Sequence, residues 1–250
     1  MKRYRWLLGC CLFLSIGMLW AADEPDLRML QQKAAQSRDM EGYVGVCKYL
    51  YQTEENPELL LLYADSIHQL ATKSKKPEQL VEYYIWASEG NFIKGDFQQG
   101  YALKRKAIAL AEKAGLKFAI SQSCCDMGYY CNVDARYDSA RYYFRKGLEA
   151  GEDLSEAGEA CRTMLTNYAS SFLFEGKTDS ALVYTIRASE RSAADKDTAM
   201  LIENLNQLGT IYRRKKDLEN CIANFEQALH LCELRGNHNA VAFIYGNIAT

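Results

Sequence analysis

A few stretches carry residue types that could do chemistry. Gly90-Asn-Phe-Ile-Lys-Gly95-Asp96 has the glycine spacing of a phosphate-binding loop, in which backbone amides cradle the phosphates and a lysine neutralises them. Asp96 stands where that lysine is required and no strand precedes, so the stretch reads as a loop between helices. Cys124-Cys125-Asp126 sets two thiols beside a carboxylate. A reactive thiol needs a histidine or cationic cluster to depress its pKa, and none is adjacent, so burial is the reading. His230, Cys232 and His238 are metal-ligating types, but their spacing does not bring them onto one helical face, and His68 lies in a helical run. No G-x-S-x-G or H-E-x-x-H occurs. No enzyme activity, cofactor or metal is therefore expected. Arg213-Arg214-Lys215-Lys216 remains: a basic patch for nucleic acid or lipid, or the turn between two packed helices.

The 250 residues are 48% hydrophobic and 25% charged, ordinary for a folded chain. Proline is scarce at three, and helix formers prevail, so an all-α fold is expected. Lys2, Arg3 and Arg5 precede an uncharged run from Trp6 to Ala22, and an acidic start follows. This reads as a secretory signal peptide over residues 1–22, cleaved near Ala21 or Ala22, with an uncleaved anchor as the alternative. Leu7-Leu8-Gly9-Cys10 looks like a lipoprotein box but comes early, with only Trp6, Leu7 and Leu8 as apolar lead. Of the 30 basic residues three lie in this segment, so the remainder carries 27 against 32 acidic residues, a formal charge of −5. Such a balance does not attract phosphate backbones. No nucleic-acid partner is expected, and a membrane is expected only through the N-terminal segment or a C-terminal span beyond this sequence.

Seven of nine cysteines follow the segment, an odd number in a chain that is not Cys-dense. Cys124 and Cys131, seven residues apart, would stand about 10 Å apart along a helix, past the roughly 7 Å that a disulfide spans. Most of the cysteines read as small buried apolar residues.

A template repeats along the chain. Leu205-x-x-Leu208-Gly209-x-x-Tyr212, then Cys221-x-x-x-Phe225 and Ala228, matches Leu165-x-x-Tyr168-Ala169-x-x-Phe172, then Ala181-x-x-x-Thr185 and Ala188. It matches again at Cys124-x-x-Met127-Gly128-x-x-Cys131, then Ala140-x-x-x-Phe144 and Gly147, and more weakly at Tyr84-x-x-Ala87-Ser88, then Gly100-x-x-x-Lys104 and Ala107. The small residue of the first helix falls at Ser88, Gly128, Ala169, Gly209 and Ala249, in steps of 40, 41, 40 and 40. A second column, Gly100, Ala140, Ala181 and Cys221, keeps the same step. Apolar residues three and four apart line one stripe of a helix, and a small residue in the stripe admits a partner helix closely. Each pair leaves a face that only the next pair buries.

These residues resemble the tetratricopeptide repeat, W-x-x-L-G-x-x-Y followed by A-x-x-x-F. Leu205 replaces the Trp and Cys221 the Ala, the terminal Pro is absent, and the period exceeds the usual 34 by about six. The resemblance implies a right-handed α-solenoid of antiparallel helix pairs. Residues 79–250 would form TPR-like repeats, the last incomplete because the helix ending at Ala249 has no second helix after it. Residues 23–78 would be helical degenerate or capping repeats. In such a solenoid the concave face, lined by first helices, binds partners. There the outward positions would be Glu89, Gln122, Tyr129, Asn132, Thr163, Thr166, Ser170, Asn206, Thr210 and Arg213. Tyr, Asn and Arg suit protein or peptide binding. Segments 132–137 and 173–178, which align with 213–218, are not strongly basic, so Arg214 to Lys216 read as a solvated turn with Arg213 facing the groove.

The expectation is an exported protein–protein interaction module, similar to the periplasmic sensor region of Bacteroidota-type signalling regulators. The alternatives are a free-standing periplasmic adaptor and an outer-membrane nutrient-binding lipoprotein. The latter would need a lipidated Cys10 and a Trp-rich platform, yet only Trp86 follows the signal segment.

Overall fold

The computed structural model describes residues 26–53 and 56–248. Residues 1–22, read above as a signal peptide, with Cys10, and Ala249 at the end of the repeat column, lie outside the described residues. Among the described residues there are helices and no strands. In chain order they are α1 Leu27–Ser37, α2 Met40–Thr53, α3 Pro57–Ser74, α4 Pro77–Lys94, α5 Phe97–Ala114, α6 Lys117–Val133 and α7 Tyr137–Gly151. After a single 3-10 turn, Ser155–Ala157, follow α8 Gly158–Phe174, α9 Thr178–Ala194, α10 Thr198–Arg214, α11 Leu218–Leu234 and α12 His238–Ile248. Consecutive helices pack on one another. The chain divides between Met127 and Gly128 into two compact units, and α6 contributes to both.

Local chemistry sets the helix ends. Asn56, Asp96, Asp197 and Asp217 accept hydrogen bonds from first-turn amides as N-caps. Pro57 and Pro77 sit in first turns, where no amide is needed. At the other ends Gly95, Gly115, Gly176 and Gly236 adopt positive φ, and so do Ala135, Lys196 and Lys216. At each of these the next residue's amide reaches back to the last helical turn, as Asp217 N does to Tyr212 O at 3.0 Å. The Gly90 to Asp96 stretch is therefore not a loop. Helix α4 runs through to Lys94, Gly95 makes the turn, and Asp96 caps α5 by accepting from Gln99 N at 3.1 Å.

First helices of successive pairs begin at Met40, Pro77, Lys117, Gly158, Thr198 and His238, so the repeat step reaches back to α2, where it shortens to 37 residues. The two sequence columns are where helices meet. In the second unit a Cβ on Gly128 would lie 2.4 Å from the Phe144 ring, and one on Gly209 would lie 2.7 Å from the Phe225 ring. Phe144 and Phe225 are buried at 0% and 2% exposure. In the intervening pair Ala169 and the smaller Thr185 hold these positions, both buried, and Tyr168 and Tyr184 meet edge to face at 4.6 Å. In the first unit the Phe position is held by Lys104, buried to 0%.

Candidate functional site

The ten positions expected to face outward on the first helices separate into two groups. Gln122 is exposed, and Tyr129, Thr163, Asn206, Thr210 and Arg213 are half-buried. Glu89, Asn132, Thr166 and Ser170 are buried, at 2%, 2%, 2% and 6% exposure, which corrects their outward placement. Asn132, Thr166 and Ser170 bond to the next first helix, and Glu89 turns instead to Lys104 on the second helix of its own pair.

In the second unit this seam is a ladder of hydrogen bonds. Asn132 donates through Nδ2 to Asn167 O at 3.0 Å, joining α6 to α8. Between α8 and α10, Thr166 bonds Asn204 Oδ1 at 2.9 Å, and Gln207 Nε2 donates to Ser170 Oγ at 2.7 Å. Asn204 also donates to Ser192 Oγ at 3.1 Å, which ties in α9. Between α10 and α12, Asn247 Nδ2 donates to Asn206 Oδ1 at 2.9 Å, and Arg213 donates to the Asn247 carbonyl. Arg213 is thus engaged with α12 instead of standing open in a groove. Within the basic run, Arg214 Nη1 donates to Leu173 O at 3.0 Å and Lys215 pairs with Asp179, so two of the three side chains read as solvated tie one pair to the preceding one. Arg162 does the same from α8, meeting Asp195 and Asp197 at 2.9 Å each. Hydrogen bonds from Arg191 and Arg162 hold the Asp195 carboxyl below its ordinary range.

The first unit holds charge in its interior. Lys104 Nζ pairs with Glu89, and with Asp126 Oδ2 at 2.9 Å, so α4, α5 and α6 meet on one ammonium. Burial alone would lower its pKa, but Asp126 and Glu89 outweigh that and hold Lys104 above the usual lysine range. One turn earlier on α4, Trp86 Nε1 donates to Glu82 Oε2 at 2.9 Å. Burial raises the Glu82 carboxyl against the Trp86 bond and the charges of Lys48 and Lys104. Cys47 of α2, facing the same place, is pushed up to about 12, first by burial and then by Glu82. Sequence reasoning missed Glu82 and Trp86 as a pair. Their i, i+4 spacing was the available signal.

All seven cysteines among the described residues are buried thiols, Cys124 and Cys125 included. His68 stacks on Tyr83 at 4.3 Å, a packing contact. Among the described residues no group of His, Cys, Asp or Glu is arranged to hold a metal ion, and no helix is long and apolar enough to cross a membrane.

No family model matches the chain, and no curated protein matches it in sequence. Solved structures match it in fold. BtubC (BKLC) from P. vanneervenii superimposes with a TM-score of 0.68 at 12% identity, over 94% of this chain and 93% of that one. The fold is a TPR-like helical repeat. The apo form of RapI gives 0.67 at 9% identity, over 99% of this chain and 71% of that one. PlcR from Bacillus thuringiensis, solved in complex with the peptide PapR7 and DNA, gives 0.54 at 14% identity, over 97% and 96%. At these identities the likeness concerns architecture alone.

Proposed function

We propose that this chain is an exported helical-repeat module that binds a protein or peptide, the periplasmic partner-binding part of a signal-transduction regulator. The observation that carries the binding reading lies on the first helices of the second unit. Tyr129, Thr163, Asn206 and Thr210 stand half-buried between the packing positions, over the ladder that joins α6, α8, α10 and α12. Side chains held in place before a partner arrives lose little entropy on binding it. PlcR, a protein of similar fold, was crystallised with a peptide, which supports a peptide as the class of partner. The export half of the reading rests on the N-terminal segment, Lys2 to Ala22.

A photo-crosslinking residue tests the face. Placed at Thr163 or Thr210 in the exporting cell, it is expected to trap a discrete adduct. The same residue at Arg187 or Glu226, exposed on second helices, is expected to trap none. Equal labelling from both sets of positions would sink the assignment of this face.

A further inference from the structure

We infer that the face shared by α2 and α4 in the first unit receives the cationic side chain of a lysine or arginine from a bound peptide. The inference rests on the peptide-binding reading above and names a contact that a peptide would make. It starts from an imbalance on one stripe of α4. Glu89 and Glu82 lie two turns apart. Glu89 is 2% exposed and neutralised by Lys104. Glu82 is half-buried, and no ion pair forms on it among the described residues. Its Oε2 accepts the Trp86 indole N–H, and its Oε1 accepts no hydrogen bond. Glu82 is not among the side chains with a buried unpartnered atom, so this second oxygen stays within reach of solvent and is open to an incoming cation. Burial raises the Glu82 carboxyl against the Trp86 bond and the charges of Lys48 and Lys104.

The surroundings select the kind of counter-charge. Trp86, 6% exposed, stands beside the carboxylate, with Tyr51 edge-on to it at 6.3 Å and 69°. Cys47, fully buried, lies on the α2 side. Aromatic rings next to a carboxylate suit an ammonium or guanidinium on an apolar stem, because the rings favour the cation and cover the stem. A metal ion would ask for several further oxygen ligands, and an anion would be repelled. Two resident cations act on Glu82 without an ion pair: Lys104, already committed to Glu89 and Asp126, and Lys48, exposed on α2, which is the competitor a peptide would displace.

Trp86 supplies the readout. The probes are the peptide Ac-Ala-Ala-Lys-Ala-Ala-NH2, its arginine form, and its norleucine form, which keeps the stem and removes the charge. Emission of the wild type minus that of Trp86→Phe isolates the indole at the site. The lysine and arginine peptides are expected to give a saturable change, with the norleucine peptide weaker by roughly tenfold, the scale of a hydrogen bond to a charged group. Glu82→Gln, which keeps an acceptor for the indole, is expected to bring the lysine peptide down to the norleucine level. Lys48→Gln is expected to tighten it severalfold. Equal binding of the lysine and norleucine peptides, no saturation with lysine, or unchanged affinity in Glu82→Gln would overturn the inference. Adducts at Thr163 and Thr210 that persist in Glu82→Gln would then leave the module reading standing and remove only this site.

Discussion

A glycine inside a helix ordinarily lowers stability, yet Gly128 and Gly209 sit mid-helix because a buried ring occupies the place of their side chain. Gly209→Ala drives a methyl group into Phe225. Overpacking of this kind costs about 1–3 kcal/mol, more than the gain of up to about 1 kcal/mol in helix propensity, so net destabilisation is expected. Gly246, whose Cβ would meet nothing within 4 Å, is the internal control, and Gly246→Ala should stabilise by about 0.5–1 kcal/mol. Urea denaturation of both variants checks the contrast, and loss of stability in both would refute the ring argument. Glu82 gives a pH test. Its folded pKa is raised, so the folded state holds the proton more tightly than the unfolded chain, and its contribution favours folding at low pH. That contribution is lost as pH rises from the unfolded value towards the raised folded one. Glu82→Gln should therefore stabilise the protein more at pH 7 than at pH 4 in thermal melts, and an equal effect at both would deny the burial cost. The glycine column was legible in the sequence because packing repeats. The burial of Glu89, Asn132, Thr166 and Ser170 was not, because a polar side chain between two packing stripes can face solvent, the next first helix or, as Glu89 does, a cation on its own pair's second helix, and spacing alone does not distinguish them.

Helices in this chain end on a beat of about half a repeat, at Gly95, Gly115 and Ala135, then at Gly176, Lys196, Lys216 and Gly236. The repeat alignment already placed a turn at Arg214 to Lys216, but the left-handed backbone of Ala135, Lys196 and Lys216 was not legible, since nothing in their type asks for it. Their conformation is imposed by the helices they join. The same logic explains why the basic run is a turn whose side chains nonetheless work, reaching back to Leu173 and Asp179. In the first unit α4, α5 and α6 are joined by a charge where later pairs use a ring. Lys104→Met should be severe, because it leaves Glu89 buried without its cation, a loss of about 3–5 kcal/mol. Adding Glu89→Leu removes the stranded charge and should recover much of that loss. Hydrogen exchange should localise the single-variant effect to α4 to α6 and spare α10 to α12, as expected where each repeat contacts only its neighbours. Uniform loss of protection along the chain would contradict this.

At the scale of the whole chain the repeat architecture was the most legible feature, because its two columns recur in phase and the stacking of pairs requires them. The ligand was the least legible, because a repeat scaffold places packing residues on a fixed step while its binding side chains are free to vary from pair to pair. The proposed export belongs to this scale too. A segment with three basic residues before an uncharged run, ahead of a remainder with formal charge −5, is a strong charge asymmetry along one chain. Positive charge at the start orients such a segment with its N-terminus on the cytoplasmic side. Replacing Lys2, Arg3 and Arg5 with Glu should therefore cut the amount of protein reaching the periplasm several-fold, without altering the far-UV helix signal of the purified protein. Mass spectrometry of the exported wild-type chain should find a new N-terminus near Ala22 or Asp23. An acylated Cys10 at the N-terminus would instead support the lipoprotein reading. A chain that retains Met1 to Ala22 and fractionates with the cytoplasm would remove export, and with it the periplasmic half of the proposed function.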